Sequence, residues 1–386
     1  MDEEKARNVI NFYILATTLK DVIVEDCKYR GNLDHERDLS VAEQCFGSMF
    51  LAVALASQLN NEKINFDRVL TMLVLSKLNQ IPLAVDENTN IVEHALGNLA
   101  KKAEYLALIK EFNKGETIDA KFANECNRLN YNIQHNLNYN ARGILNEIIE
   151  GLDETALSFY LVVVPRLRTL LRAGWTENWK IDRNRIESVA EHIFGTCILA
   201  LAIASEFYPD INIEYIIKML SIHELEEVII GDNTIFGGPD AEVKLSLGHT
   251  AAKGILRGLN KEAEYFAIID EFDTKSSPNA QFAFFCDKLE FELQGKIYCD
   301  EKVFIPINKL DGRLIYDKRV VETRRSLCAV NPTYANVPFY INAELCKEKL
   351  MGTKLNGEPF LSVLEAIKTV DTTKIRKPSV SLEKTM

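Results

Sequence analysis

An internal repeat constrains the fold of this chain more than any other feature of its sequence. The run SVAEQCFGSMFLAVALAS, which starts at Ser40, returns as SVAEHIFGTCILALAIAS, which starts at Ser188. Later segments also match: KKAEYLALIKEF resembles KEAEYFAIIDEF, and FANECNRLN resembles FAFFCDKLE. Similarity at such a long period predicts that one structural unit occurs twice in the chain.

The repeated unit is predicted to be a helical bundle, because its apolar residues recur at helical spacing and alternating runs are few. In each copy a Ser is followed three residues later by a Glu, as in Ser40/Glu43 and Ser188/Glu191. This is the pattern of a capping box, in which the two side chains satisfy free N–H groups of the first turn. Both copies are therefore expected to start a helix at this point.

The predicted fold class is all-α, with two tandem helical bundles and a C-terminal extension. We place the bundles at residues 1–150 and 151–330 and the extension, with a loose tail, at 331–386. The offset between the copies grows from 148 residues at Ser40 to 160 at Phe122, so the second copy carries extra residues. They are expected near the turn-prone Gly237-Gly238-Pro239. The stretch 302–321 has some strand character and is not assigned.

Charge and composition exclude several classes of protein. The 45 basic and 56 acidic residues give a net charge of -11, which opposes binding to a long nucleic acid. No uncharged apolar run reaches the length of about 18 residues that spans a membrane. Eight cysteines occur without a CxxC pair, which argues against a disulfide framework and favours a reducing, cytoplasmic location.

Comparison of the two copies isolates residues that the shared fold does not require. Four uncharged or basic residues of the first copy are replaced together in the second copy by histidines and acids. The first copy has Gln44, Ser76, Lys77 and Asn127, and the second has His192, His223, Glu224 and Asp287. Imidazole and carboxylate groups suit a divalent transition metal, so these four are the predicted metal ligands. The first copy, with Lys77 at a ligand position, is predicted to lack a metal site.

Two further acids of the second copy lie close to the predicted ligands. Gln80 of the first copy becomes Glu227, and Val85 becomes Asp232 if no gap is placed there. On a continuous helix, Glu227 would share one face with His223 and Glu224 and would lie beside the ion. Glu226 points about 100° away on such a helix and is expected to be solvated.

These residues resemble a known family. A His on one helix, a His-acid pair on a second helix and a distant Asp form the pattern of the HD-domain phosphohydrolases. The runs ESVAEH, HELEEVIIGD and CDKLE, with Arg172-Ala-Gly-Trp175 upstream, are similar to the 5'-deoxynucleotidase branch. The resemblance covers about 140 residues of the second copy. The chain departs from the family at His223-Glu224, where the family has His-Asp, and the extra methylene would shift the ion or its water by on the order of 1 Å.

The resemblance implies specific roles for single residues. His192, His223, Glu224 and Asp287 would hold one divalent ion (Mn, Co, Fe, Ni or Zn), and Glu227 would position or deprotonate the attacking water. Asp232 would contact the sugar or the leaving oxygen. Arg172 and Trp175 would meet the phosphate and the deoxyribose.

The function implied is metal-dependent hydrolysis of a phosphomonoester, with a (deoxy)nucleoside 5'-monophosphate as substrate. Alternatives are a catalytically impaired nucleotide-binding or regulatory protein, and a hydrolase of nucleoside triphosphates or cyclic nucleotides. Related enzymes are often homodimers, so the first copy is expected to pack on the second as a covalent pseudo-dimer partner. Glu191 and Arg185 have counterparts in the first copy, Glu43 and Arg37, and are therefore expected to be structural.

Overall fold

The computed structural model describes residues 2–24, 37–59, 63–83, 90–138, 153–232, 241–305, 329, 338–350 and 355–376. Within these ranges the regular elements are helices, and the pairing of extended backbone is limited to isolated bridges. The predicted all-α class is confirmed. Of the unassigned stretch 302–321, the described part contributes one bridge, between Ile181 and Phe304, and the remainder lies outside the described residues.

The described residues before the second repeat form the α-helices α1 (Asp2–Ala16), α2 (Val41–Gln58), α3 (Phe66–Ser76), α4 (Ile91–Leu96), α5 (Lys102–Lys114) and α6 (Ile118–Asn138). The described residues of the second half form α7 (Glu154–Thr169), α8 (Val189–Phe207), α9 (Ile213–Ile222), α10 (Glu227–Ile230), α11 (Ala241–Leu256), α12 (Glu262–Thr274) and α13 (Pro278–Asp300). The C-terminal extension adds α14 (Pro338–Leu350), α15 (Glu358–Ile367) and α16 (Thr372–Arg376).

Both predicted helix starts are confirmed, and both are built in the same way. The Ser40 hydroxyl accepts a hydrogen bond from the backbone N–H of Glu43, whose carboxylate accepts one from the N–H of Ser40. Ser188 and Glu191 form the same reciprocal pair at the start of α8. Each box therefore satisfies two N–H groups that a helix start leaves free.

The two halves pack on each other through hydrogen bonds that come in equivalent pairs. The Ser40 hydroxyl donates to Glu191 at 2.7 Å, and the Ser188 hydroxyl donates to Glu43 at 2.9 Å. Arg37 contacts Glu191, and Arg185 contacts Glu43 at 3.0 Å. Glu191 and Arg185 thus have the structural role expected of them, and they perform it across the contact between the halves.

A second pair of equivalent contacts lies further along the same helices. The Tyr105 hydroxyl of α5 donates to the carbonyl of Leu201 in α8 at 2.8 Å. The Tyr265 hydroxyl of α12 donates to the carbonyl of Val53 in α2, also at 2.8 Å. Since α2 and α8 also pack directly on one another, these helices form the centre of the molecule.

Helix α8 is the most deeply buried element near the predicted site. By length and composition it could cross a membrane, but its entire apolar window is buried in the protein. Helix α1 packs against α8, and also against α15 of the C-terminal extension. The N-terminal segment and the extension therefore both lie against the second half of the chain.

The helix that was expected to carry His223 and Glu227 together is interrupted. Helix α9 ends at Ile222, and residues 223–226 form turns before α10 begins. Backbone N–H groups here donate to the carbonyl three residues earlier. The N–H of Glu227, for example, donates to the carbonyl of Glu224 at 3.2 Å. The expectation of one continuous helix was wrong: the tighter turn brings residues three apart, rather than four apart, onto one side.

One helix of the second half is longer than its counterpart in the first half. In the first half α4 has six residues, whereas the matching α11 has sixteen. Gly237-Gly238-Pro239, where the insertion was expected, lies outside the described residues. The added turns of α11 carry Lys244, Leu245 and Gly248, which line the cavity described below.

Candidate metal centre and substrate cavity

The four predicted ligands converge on one point. His192 comes from α8, His223 and Glu224 follow the end of α9, and Asp287 comes from α13. One ligand atom from each side chain can be chosen such that all lie within 4.8 Å of one another. The Nε2 of His192 lies 2.9 Å from Asp287 Oδ1 and 3.7 Å from Glu224 Oε1. Ligands bound to one ion at about 2.1 Å are separated by roughly 3–4 Å, so the spacing fits a single ion.

The hydrogen bonds of the two histidines also fit metal ligation. His223 Nδ1 lies 2.8 Å from the carbonyl of Leu220, which can only accept, so Nδ1 carries the proton. Its Nε2 then presents a lone pair, is buried, and has no hydrogen-bond partner among the described residues. A buried nitrogen without a partner is costly, and a cation held here would satisfy it.

His192 is oriented by a chain of buried charges that reaches into the N-terminal segment. Its Nδ1 lies 2.6 Å from Glu290 Oε2. The other oxygen of Glu290 accepts from the Lys20 ammonium at 2.6 Å and from the Tyr13 hydroxyl at 2.8 Å. Lys20 also contacts Glu187. Because all of these groups are buried, the first residues of the chain fix the orientation of a predicted metal ligand.

A glycine makes this approach possible. A Cβ atom added to Gly195 would lie 2.4 Å from Glu290 Oε1 and 2.7 Å from Lys20 Nζ. Both distances are too short for a contact between nonbonded atoms, so any side chain at this position would displace Lys20 and Glu290. Gly195 lies one turn after His192 in α8, on the side that faces α13.

The pKa values of the acids in the centre are shifted in different directions. Burial opposes ionisation of Glu224, but His223 and Arg172 lower its pKa to about 2. For Glu227, burial and the neighbouring carboxylates of Glu224 and Asp232 raise the pKa well above its usual value. One oxygen of Glu227 is buried without a hydrogen-bond partner. The centre therefore places two neighbouring carboxyl groups whose pKa values are shifted in opposite directions.

Arg172 and Asp232, the predicted phosphate and sugar contacts, face each other at the edge of the centre. Arg172 Nη1 lies 3.3 Å from Glu224 Oε1 and 3.5 Å from Asp232 Oδ1. The other oxygen of Asp232 accepts from the N–H of Ala173 at 2.8 Å. Arg172 lines the cavity, and its Nε has no hydrogen-bond partner among the described residues.

Trp175 differs from the other predicted site residues. It is completely buried and is not among the residues that line the cavity. Its ring stacks on Phe291 with centroids 4.3 Å apart, and its N–H donates to Glu187 at 2.8 Å. The structure places Trp175 behind Phe291 as a packing residue, and direct contact with a deoxyribose stays a prediction.

The equivalent point in the first half is occupied by an ammonium group. Lys77 Nζ donates to Gln44 Oε1 at 3.0 Å and to Asn127 Oδ1 at 2.6 Å. Both partners are neutral, and burial lowers the pKa of Lys77 to about 8. Among the described residues, clusters of potential metal ligands occur in the second half. The Lys77 side chain therefore fills the space that the ligands surround in the second half.

A cavity of about 390 Å³ opens beside the ligands, a size suited to a small molecule. Its lining includes Glu226, which sequence analysis expected to be solvated. Glu226 is half-buried instead, and burial beside Glu224 and Asp273 raises its pKa to about 8. Glu226 lies three residues after the buried His223, a spacing that places both side chains on a similar side of a helical turn.

Several charged residues of the site were not predicted from the sequence. Lys288 is next to a ligand in sequence, and its ammonium lies 2.6 Å from Asp287 Oδ2. Glu290, the last residue of the CDKLE run, belongs to the family-like motif, but no role was predicted for it. Lys20 carried no signal, because its partners lie more than 160 residues away in sequence.

The second half of the chain is similar to known proteins. A model of the HD domain family matches residues 164–309. The 5'-deoxynucleotidase HDDC2 of Homo sapiens is 28% identical over 154 residues, which cover 39% of this chain and 72% of that protein. The Danio rerio protein of the same name is 30% identical, covering 36% of this chain and 68% of its own length. The 5'-deoxynucleotidase hdd1 of Schizosaccharomyces pombe is 28% identical, covering 38% and 72%.

Proposed function

The chain belongs to the HD-domain family of metal-dependent phosphohydrolases, and from that premise we propose that it hydrolyses (deoxy)nucleoside 5'-monophosphates. The observation that carries the proposal is the convergence of His192, His223, Glu224 and Asp287 beside an open cavity. The names of the 5'-deoxynucleotidase relatives support the choice of substrate.

Each residue around the centre has a separate role in the proposed reaction. A divalent cation, when bound, supplies Lewis acidity that polarises a phosphoryl oxygen and makes water a stronger acid. Arg172 offers a guanidinium to the phosphate, and its charge offsets the charge that develops on the oxygens. Glu227 holds or transfers the proton of the attacking water. Asp232, fixed by the N–H of Ala173, faces the sugar or the leaving oxygen.

The N-terminal half serves as a structural partner in this proposal. The equivalent pairs of contacts across α2 and α8 support a covalent pseudo-dimer of two related units at 1–150 and 151–330. The first unit does not bind a metal, since Lys77 occupies the equivalent point. A reducing, cytoplasmic location is proposed as well, and the free state of the six cysteines in the described ranges supports it.

The experiment that tests the proposal is a measurement of phosphate release by the full chain. The substrates are deoxynucleoside and nucleoside monophosphates, triphosphates and cyclic nucleotides, each with Mn, Co, Fe, Ni or Zn. We expect the monophosphates to be hydrolysed fastest and His223→Ala to abolish the activity. Faster turnover of triphosphates or cyclic nucleotides would assign the site to another phosphate ester. Nucleotide binding without turnover with any metal would favour the regulatory alternative.

A further inference from the structure

The cavity extends along α13 well past the metal ligands. Residues of this helix that line it are spaced as one helical face: Phe284, Asp287, Lys288, Phe291 and Glu292. Glu292 follows the ligand Asp287 by five residues, which corresponds to about 7.5 Å along the helix axis. The Glu292 end of the cavity is therefore separated from the reacting phosphate by roughly the length of a sugar.

Two buried polar side chains at this end each have one polar atom without a hydrogen-bond partner in the described part of the chain. Glu292 and Asn342 are 3% and 1% exposed. Glu292 Oε2 and Asn342 Nδ2 have no hydrogen-bond partner among the described residues. An unsatisfied buried polar group destabilises the folded protein, so two of them in one cavity point to a ligand that satisfies them. Both side chains line the cavity, so a ligand there can reach them.

The two side chains come from two helices that pack on each other, Glu292 from α13 and Asn342 from α14. Asn342 Nδ2 is 3.8 Å from the position of a Cβ atom on Gly295, which lies three residues after Glu292 on α13. Helix α14 packs on α13 and presents a single face to the cavity, with residues at spacings of three, four and seven. Those residues are Asn342, Leu345, Cys346 and Lys349. This helix lies beyond the region that the HD domain model matches, so it belongs to the chain's own extension.

We propose that Glu292 and Asn342 form a subsite that recognises the base of the nucleotide, an inference that rests on the proposed phosphohydrolase function. A carboxylate oxygen accepts a hydrogen bond and an amide N–H donates one, and the edge of a nucleobase offers both partners side by side. The neighbouring Phe291 and Leu345 supply apolar surface for a flat ring. A sugar hydroxyl can bond to one of the two groups, but a sugar ring is puckered and polar and does not match this flat apolar surface.

The test compares substrates with and without a base. The variants are Glu292→Gln and Asn342→Leu, with Glu348→Gln, an exposed acid of the same helix, as the matched control. Each is assayed on the four deoxynucleoside 5'-monophosphates and on 2-deoxyribose 5-phosphate. A site built to hydrogen-bond a substrate discriminates strongly when those bonds are lost. We expect kcat/KM for the preferred nucleotide to fall at least tenfold in both variants, with less than a twofold change for 2-deoxyribose 5-phosphate.

The melting temperature shows whether the variants fold. Because Asn342→Leu removes an unsatisfied polar group from a buried position, its melting temperature should not fall. Equal losses on the nucleotide and on 2-deoxyribose 5-phosphate would overturn the base subsite and leave the phosphohydrolase function standing. Unchanged kinetics in both variants would also overturn it.

Binding of nucleosides separates this inference from the proposed function. If the full chain hydrolyses none of the phosphate esters, the proposed function fails, and calorimetric titration with deoxynucleosides still tests the subsite. Binding of a deoxynucleoside that is weakened at least tenfold by Glu292→Gln, but not by Glu348→Gln, supports the subsite. Absence of such binding, or binding that the Glu292 variant retains, overturns it.

Discussion

Replacement of Lys20 by methionine should weaken a metal site to which Lys20 is not a ligand. The Lys20 ammonium lies 2.6 Å from Glu290 Oε1 and also contacts Glu187, and all three side chains are at most 5% exposed. Removing one partner of a buried ion pair leaves an uncompensated charge and typically costs about 3–5 kcal/mol. We expect a loss of this order in the free energy of unfolding, measured by urea denaturation.

The metal affinity of the same variant reports on its effect at the centre. Glu290 holds His192 Nδ1 at 2.6 Å, and without Lys20 this carboxylate loses its cation. Changes to the groups that orient a metal ligand typically weaken metal binding about 10–100-fold. The affinity of the folded Lys20→Met protein, measured by competition with a chelator for Zn or Mn, should fall within that range.

Lys77→Met is the matched control, since Lys77 is also buried but contacts Gln44 and Asn127 in the first half. Its metal affinity should equal that of the unmodified protein. In a double-mutant cycle, Glu290→Gln combined with Lys20→Met should cost less than the sum of the single changes, because they share one interaction. A folded Lys20→Met protein with unchanged metal affinity would refute the proposed link between the N-terminal segment and His192.

Three further outcomes are expected. Glu227→Gln should lower turnover by about 10²–10⁴-fold while the bound metal content stays the same, and unchanged turnover would remove Glu227 from the mechanism. Burial lowers the pKa of Lys77 to about 8 in the folded protein, whereas the unfolded chain keeps this proton up to about pH 10.5. The free energy of unfolding of the unmodified protein should therefore rise by up to about 3 kcal/mol, relative to that of Lys77→Met, between pH 8 and 10.5. Denaturation curves with a pH-independent difference would contradict this. Gly195→Ala should reduce metal affinity as Lys20→Met does, because the added carbon displaces Lys20 and Glu290, whereas equal affinity would show that the pair can shift at no cost.

Local patterns in the sequence were sufficient for part of the fold. The capping boxes at Ser40 and Ser188 predicted the starts of α2 and α8, because a helix start depends on residues within one turn of it. The apolar spacing predicted helices for the same reason. The expected continuous helix through His223 and Glu227 was wrong, since the tight turns after Ile222 have no comparable signal in the residues themselves.

The internal repeat supplied the candidate site. Replacement of four residues at equivalent positions by metal-binding types identified His192, His223, Glu224 and Asp287, and the structure brings them together. Lys20 and Asn342 lie outside the segments that match between the two copies. Residue types at matched positions therefore carry no information about them.

The sequence by itself determined the helical class, the helix starts and the set of candidate metal ligands, because each depends on residue type and on spacing or matched position along the chain. Only the tertiary structure decided that Lys20 reaches Glu290, 270 residues away, and that Trp175 lies behind Phe291. It also decided that Glu292 and Asn342 share a cavity. These contacts result from the packing of α1, α13 and α14, and such packing depends on how whole helices fit together rather than on any local pattern.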